Sequence, residues 1–174
     1  MLDLLYEKSK INLRLRLINN SDLEFLRCWK NANKSGFFNK KDITLAMQEE
    51  WYASYLEDKK TTMYMVEEYV EKKYISFGCI GYRFMEDWSI DIYNVIRGVR
   101  SDDPQATMSR ALLILNSFLI RTFRLDIFCR VVHNNPALFW YEKNGFVVLE
   151  EKAGYNVCQL IKQKIEPIEF EGER

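Results

Sequence analysis

The chain has 174 residues, which suits one domain over residues 1–174, and 48% of them are hydrophobic, which is ample for a packed core. Its 25 Lys and Arg residues balance 25 Asp and Glu residues, so the formal net charge is zero. This balance argues against nucleic acid as a partner, because binding to a phosphate backbone normally requires a basic surface. It argues equally against a dense anionic membrane surface.

The sequence predicts a cytoplasmic protein without a metal site. Its N-terminal residues lack a basic segment followed by an apolar run, and no stretch approaches the ~20 apolar residues of a membrane helix. The cysteines form no C-x-x-C pair and lie in apolar runs, which is typical of small buried residues in a reducing compartment. With His133 as the one histidine, no metal-ligand spacing appears.

The first elements in the chain are a strand and a helix. Residues 11–18, INLRLRLI, alternate strictly between apolar and polar side chains, which predicts a half-buried strand. Ser21 and Glu24 then have the spacing of a capping box and predict a helix over residues 22–31.

A second helix is predicted after Thr44, which is a favourable capping residue. Large side chains recur there every four residues from Met47 to Tyr55, which is helical spacing. The loop before this helix contains Phe37 and Phe38. These rings either line a substrate cleft or pack beneath the loop.

The middle of the chain predicts an antiparallel meander followed by a crossover. Short charged turns separate three runs rich in aromatic and β-branched residues, over residues 63–69, 74–84 and 88–99. Asp103 and Pro104 then predict the start of a third helix, with Asp as the N-cap and Pro at the first helical position. A strand over residues 126–132 follows, and a helix between two strands implies a parallel connection.

The C-terminal part predicts a fourth helix over residues 134–144 that ends at Gly145. A strand pair over residues 146–150 and 156–165 follows, and residues 166–174 are expected to form a flexible tail. The fold class is therefore α/β (α+β), with a mixed, mostly antiparallel sheet of about seven strands and flanking helices.

The element order, together with one segment, resembles the GCN5-related N-acetyltransferase (GNAT) superfamily. The segment is N-x-x-A-x-x-x-Y-E-K-x-G-F, from Asn134 to Phe146, and the resemblance covers residues 11–165. The front half, with Gln48 and Trp51 in a Q-x-x-W pattern, is similar to two branches of the superfamily. One branch acetylates ribosomal-protein N-termini, and the other acetylates the amines of nucleotide-linked sugars.

The resemblance implies a twisted sheet whose fourth and fifth strands splay apart, with acetyl-CoA as co-substrate between them. The pantetheine arm would bond to the fourth strand, here residues 92–98, as if it were another strand. The pyrophosphate would lie at the start of the following helix. The cofactor-binding residues implied in this way are Asn134, Val95, Ile96, Arg97, Arg100, Ala106, Thr107, Met108 and Ser109.

Tyr141 is the catalytic acid that the resemblance implies. A phenol has an ordinary pKa of about 10, so at neutral pH it is protonated and can protonate a leaving thiolate. Tyr141 lies seven residues, about two helical turns, after Asn134, which predicts both side chains on one helix face. The alternative is an ordinary half-buried helix aromatic.

Asp91 is the first choice for a general base, because the family often keeps an acid on this strand. Glu86 and His133 are weaker choices, and a water chain without a dedicated base is another. The alternative interpretation is that Asp91 is a solvated charge at a strand edge.

The phosphate loop departs from the family pattern Arg/Gln-x-x-Gly-x-Gly/Ala. Those positions hold Asp103, Ala106 and Met108, so both glycines are missing and a carboxylate stands where phosphate would bind. Arg97, Arg100 and Arg110 could supply compensating charge. Because of this departure, a non-catalytic domain that binds a ligand or a partner is the alternative to an enzyme.

The expected activity is direct transfer of an acetyl group from acetyl-CoA to the primary amine of a small molecule, first of all a nucleotide-linked amino sugar. The absence of a Cys–His pair at suitable spacing argues against a covalent enzyme intermediate. The alternative acceptor is a protein N-terminus, as in the ribosomal-protein branch. The aromatic content is compatible with a homodimer.

Overall fold

The backbone forms one mixed β-sheet flanked by helices. A computed structural model of the chain describes residues 2–7, 10–98, 104–164 and 168–173. Within these ranges the strands are β1 Leu4–Glu7, β2 Lys10–Leu17, β3 Thr61–Val70, β4 Lys73–Phe84, β5 Ile90–Arg97, β6 Ile127–Val132, β7 Phe146–Lys152, β8 Tyr155–Leu160 and β9 Phe170–Glu173. The helices are α1 Leu23–Ala32, α2 Leu45–Glu57, α3 Pro104–Phe123 and α4 Ala137–Lys143. None of these helices has the length and apolar character that crossing a bilayer requires.

The strands lie in the order β7-β8-β6-β5-β4-β3-β2-β1-β9. β5 and β6 pair in parallel, because α3 connects them as a crossover. The other pairs that the structure describes are antiparallel. The mixed, mostly antiparallel sheet and its crossover are therefore confirmed. The described strands number nine rather than about seven, because β1 and β9 extend one edge.

The C-terminal segment differs from the flexible tail predicted over residues 166–174. Phe170–Glu173 forms β9 and pairs with β1. Phe170 also packs edge-on against Phe118 of α3, with ring centroids 5.6 Å apart. Tyr6 donates a hydrogen bond to Glu171 at 2.8 Å, across 165 positions of sequence. Contacts over such a separation leave no local signal in the composition of the tail.

The start of α1 is also set by distant contacts. The sequence predicts a capping box of Ser21 and Glu24, whereas Asn19 and Asp22 form the capping box, around a short 3₁₀ turn. Asp22 is buried and forms an ion pair with Arg16 of β2 at 2.9 Å. A buried carboxylate needs such a partner, so the ion pair with β2 selects the register of the cap.

A β-bulge in β5 turns the side chains of its second half to the other face of the sheet. Ile92 packs in the apolar cluster beneath α3, whereas Ile96 packs in the cluster beneath α1 and α2. Residues four apart on a regular strand would share a face. The pairing with β4 shifts between Cys79 and Gly81, and Asn94 has a φ of 49°. Such a shift is the signature of a bulge.

The two parallel strands separate after a short paired stretch. Pairing extends over Ile90–Ile127, Asp91–Phe128 and Ile92–Cys129. β5 continues to Arg97 and β6 to Val132 without further pairing between them. This gap is the predicted splay, and it leaves the edge of β5 free to pair with an extended ligand.

The end of β5 is packed tightly against α1. A Cβ added to Gly98 would overlap the indole of Trp29, which is itself buried. We expect Gly98→Ala to lower the free energy of unfolding by about 1–3 kcal/mol, measured by urea denaturation. Adding Trp29→Phe to this variant should recover part of the loss, since a smaller ring leaves room. If the double variant recovers nothing, the overlap is not the cause.

Candidate functional site

The splay between β5 and β6 opens into a cleft of about 760 Å³. This volume lies within the range of small-molecule and cofactor sites. The walls come from the separated ends of β5 and β6, the start of α4, the end of α1, the loop after α1 and Trp51 of α2. The cleft therefore exists only where elements distant in sequence meet.

Tyr141 lies in the wall of this cleft, on α4. Its side chain is only 7% exposed, and its ring packs against Trp140 and Phe146 with centroid distances of 4.9 and 5.3 Å. Burial raises the pKa of the Tyr141 phenol well above its ordinary value, and electrostatic interactions with Cys129 and Asp91 act in the same direction. The phenol is therefore suited to donate a proton rather than to accept one.

Asn134 lines the same cleft from a loop rather than from a helix. α4 begins only at Ala137, and Asn134 has a left-handed backbone with a φ of 61°. The helix cannot start earlier, because Pro136 disfavours helical conformation in the residue before it. The predicted shared helix face of Asn134 and Tyr141 is wrong, although both side chains reach the cleft.

Gly145 terminates α4 as predicted. It has a φ of 89°, and its N–H donates to the carbonyl of Glu142 at 3.2 Å. Phe146, the next residue, is buried and begins β7. This turn fixes the orientation of the end of α4, where Tyr141 lies.

Four of the predicted cofactor-binding residues line the cleft together with Asn134. Val95, Ile96 and Arg97 do so along the separated end of β5, and Met108 does so from α3. Ile96 and Met108 are buried, so the side chains of these two positions form an apolar part of the wall.

Ser109 is used to join two helices. Its hydroxyl oxygen accepts hydrogen bonds from Trp140 Nε1 at 2.9 Å and from Asn144 Nδ2 at 3.2 Å. Ser109 does not line the cleft. Its contacts position α4, and with it Tyr141, against α3.

The other predicted phosphate-binding residues are also away from the cleft wall or beyond the described ranges. Thr107 Oγ1 lies 3.4 Å from Glu68 Oε2 of β3, and Ala106 is exposed. Neither lines the cleft. Arg100 and Asp103, the predicted N-cap, lie outside the described residues.

Asp91 lies at the wall of the cleft, where β5 and β6 are still paired, and is 3% exposed. Its Oδ2 accepts hydrogen bonds from Arg83 Nη2 at 2.8 Å and from Arg130 Nη2 at 2.7 Å. The two guanidinium groups come from the strands on either side, β4 and β6. The carboxylate thus ties three strands together just before the splay. Its role as general base stays a prediction.

The alternative bases do not line the cleft. His133 Nε2 lies 3.6 Å from Glu151 Oε1 of β7, and Glu86 belongs to the turn between β4 and β5. Neither side chain is part of the cleft wall.

Three cationic residues of the cleft were not predicted as site residues: Lys30, Arg83 and Arg130. Lys30 Nζ donates a hydrogen bond to Asn94 Oδ1 at 3.1 Å and lies 5.2 Å from the centroid of the Phe37 ring. An arginine inside an apolar strand is a signal that could have identified two of them. Lys30 has no such signal, because a lysine near a helix C-terminus is common.

The loop between α1 and α2 reaches across to α4. The carbonyl oxygen of Gly36 accepts a hydrogen bond from Asn135 Nδ2 at 3.0 Å. Phe38 packs edge-on against Tyr155 of β8, with ring centroids 5.3 Å apart. Phe37 and Phe38 both line the cleft, and Phe37 also packs against the apolar cluster beneath α1 and α2, so the two roles that the sequence left open do not exclude each other.

No family model and no curated protein sequence matches this chain. Solved structures do match. A domain from Methanocaldococcus jannaschii DSM 2661 has a TM-score of 0.75 at 14% identity, over 85% of this chain and 97% of that one. FdhC, described as a nucleotide-linked sugar GNAT, has a TM-score of 0.70 at 16% identity, over 88% of each chain. Spermidine N-acetyltransferase from Vibrio cholerae, in complex with CoA and spermine, has a TM-score of 0.65 at 22% identity, over 86% of this chain and 94% of that one.

At these identities the similarity concerns the fold, and it extends over most of each chain. The parallel β5–β6 pair that separates, the crossover α3 and the turn after α4 agree with the features that the sequence motif implied. The chain therefore has the fold of the GCN5-related N-acetyltransferases.

Proposed function

We propose that the protein is an N-acetyltransferase that moves an acetyl group directly from acetyl-CoA to the primary amine of a small molecule. The observation that carries this proposal is the unpaired edge of β5, which opens into a cleft with Tyr141 in its wall. An extended pantetheine arm has amide groups that can pair with such an edge like another strand. Its thioester sulfur would then lie near Tyr141.

The proposed reaction needs one proton donor and one proton acceptor. The neutral amine nitrogen attacks the thioester carbonyl, and a C–N bond forms. As the C–S bond breaks, Tyr141 gives its phenolic proton to the thiolate and later regains one from solvent. The surplus proton of the amine leaves to water or to Asp91. The products are the N-acetylated amine and the free thiol of CoA.

Three features support CoA binding in spite of the missing glycines. α3 begins at Pro104, and the partial positive charge at the start of a helix favours a pyrophosphate there. Met108 is only 4% exposed and lies against Gly78, so its side chain is packed inward rather than projecting from the helix start. Arg97 lines the cleft and could pair with a phosphate.

The loop over the cleft supports a small acceptor. Because Gly36 is tied to Asn135 on the far side, residues 33–39 cover part of the opening. A protein N-terminus would need a more open approach. A nucleotide-linked amino sugar is our first choice of acceptor.

Acetyl-CoA is expected to stabilise the protein by about 2.7 kcal/mol at a concentration 100 times its Kd, seen as a rise in Tm. Adenosine 3′,5′-bisphosphate, which lacks the arm, is the control and should give a smaller shift. No shift at millimolar acetyl-CoA would contradict the proposal. Amine-dependent release of free thiol then tests transfer itself, and binding without release would assign the chain to non-catalytic binding.

A further inference from the structure

The cleft is cationic although the chain is neutral. Lys30, Arg83, Arg97 and Arg130 line it, and Asp91 is the one carboxylate in the wall among the described residues. The chain as a whole has 25 residues of each sign. The excess positive charge is therefore a local property of the cleft.

Three of these cations lie on the face of the sheet opposite α3. Tyr82 and Cys129 pack in the cluster beneath α3. Successive side chains of a strand point to opposite faces, so their neighbours Arg83 and Arg130 face the α1 side. Lys30 belongs to α1 itself. Since α3 is the helix expected to hold the pyrophosphate, these three cations lie on the side left for the acceptor.

The positive charge on this side is only partly compensated. Asp91 forms ion pairs with both Arg83 and Arg130, so one carboxylate serves two guanidinium groups. Among the described residues Lys30 has no carboxylate partner, and its ammonium contacts the amide of Asn94 and the ring of Phe37. Burial lowers the pKa of Lys30, which is the sign of a cation short of compensation.

We propose that the acceptor amine carries a phosphate or carboxylate group, which Lys30, Arg83 and Arg130 bind, and that polyamines are rejected. The inference rests on the proposed function, because it assigns this side of the cleft to the acceptor. An anion entering here replaces water around partly buried cations and gains charge-assisted hydrogen bonds. A polyamine meets like charges instead, and that repulsion acts as discrimination.

Pairs of amines that differ only in charge test this on the unmodified protein. Thiol release at saturating acetyl-CoA is compared for 2-aminoethyl phosphate against ethanolamine, β-alanine against β-alaninamide, and a nucleoside-diphosphate amino sugar against the free sugar. We expect kcat/KM to be at least about 10-fold higher for the anionic member of one or more pairs, and no turnover of spermidine. The pair with the largest ratio identifies phosphate or carboxylate. Equal rates within every pair, or a preference for spermidine, would overturn the inference.

Lys30→Met tests the residue least involved in ion pairs. For the pair with the largest preference, it should reduce the ratio of kcat/KM between the anionic and the neutral amine about 10-fold. The Kd of acetyl-CoA should stay unchanged, and Lys30→Arg should retain most of the preference. Lys162→Met is the matched control, because Lys162 lies outside the cleft and pairs with Asp126 at 3.4 Å. An unchanged ratio in Lys30→Met, with a folded protein by circular dichroism, would remove Lys30 from the site.

A binding measurement separates this inference from the proposed function. Intrinsic tryptophan fluorescence, to which Trp51 and Trp140 in the cleft wall contribute, can be titrated with each amine in the presence and absence of CoA. Tighter binding of the anionic member without any acetylation would leave the anion site standing and refute the transferase. Acetylation without any preference between the members of a pair would leave the transferase standing and refute the anion site.

Discussion

Replacing Tyr141 with Phe is expected to lower kcat by about 10²- to 10⁴-fold while the Kd of acetyl-CoA changes little. The ring is buried between Trp140 and Phe146, and Phe preserves that packing. The substitution removes only the hydroxyl group. Burial raises the pKa of this hydroxyl, so its protonated form persists at alkaline pH. The measurement is steady-state thiol release, with acetyl-CoA affinity from a thermal shift.

The pH profile distinguishes an acid from a packing residue. The proton-donating form of Tyr141 is the neutral phenol. Because the pKa of this phenol is raised, we expect loss of its proton to lower the wild-type rate only above about pH 10. In Tyr141→Phe the thiolate must leave without that proton. A thiol has an ordinary pKa of about 8.5, so the defect should shrink above this pH.

The control for this experiment is Tyr52→Phe, which also removes one hydroxyl. Tyr52 stacks on Tyr55, with ring centroids 5.9 Å apart, and does not line the cleft. Its kcat should stay near the wild-type value. A defect in Tyr141→Phe that does not vary with pH would assign Tyr141 to positioning rather than to proton transfer.

Asp91→Asn is expected to lower the free energy of unfolding by about 3 kcal/mol. The carboxylate is 3% exposed and holds Arg83 and Arg130 from two different strands. Asn removes the charge and turns an N–H₂ group towards at least one guanidinium, which leaves two cations without compensation. Urea denaturation monitored by fluorescence gives the change, provided that the transition is two-state.

Asp126→Asn is the matched control, because Asp126 pairs at 3.4 Å with Lys162 near the surface. An exposed pair of this kind contributes about 0–1 kcal/mol. The same variants test the predicted general base. If Asp91→Asn kept its stability but lost kcat about 100-fold or more, proton transfer would be its role and the structural interpretation would fail.

Local sequence determined the elements that depend only on near neighbours. The strict alternation before residue 18 gave β2, and Thr44 caps α2 by accepting a hydrogen bond from the N–H of Met47 at 3.2 Å. α3 starts at Pro104, and Gly145 ends α4. In each case the signal and the structure it produces lie within a few residues of each other, so the chain alone carries the information. The motif ending at Phe146 also lies within one short segment, and its resemblance to a known superfamily implied the fold.

The tertiary structure decided everything that joins distant segments. The pairing of β9 with β1, the cap at Asn19 and the bulge at Asn94 depend on neighbours brought together by the sheet. The charge of the cleft is the strongest case, since Lys30, Arg83 and Arg130 come from α1, β4 and β6. The two arginines stand out within apolar strands, but no single segment shows that the three cations meet. Only the order of the strands brings the three to one opening and leaves Asp91 to balance two of them, because an electrostatic environment is set by distance in space and not along the chain.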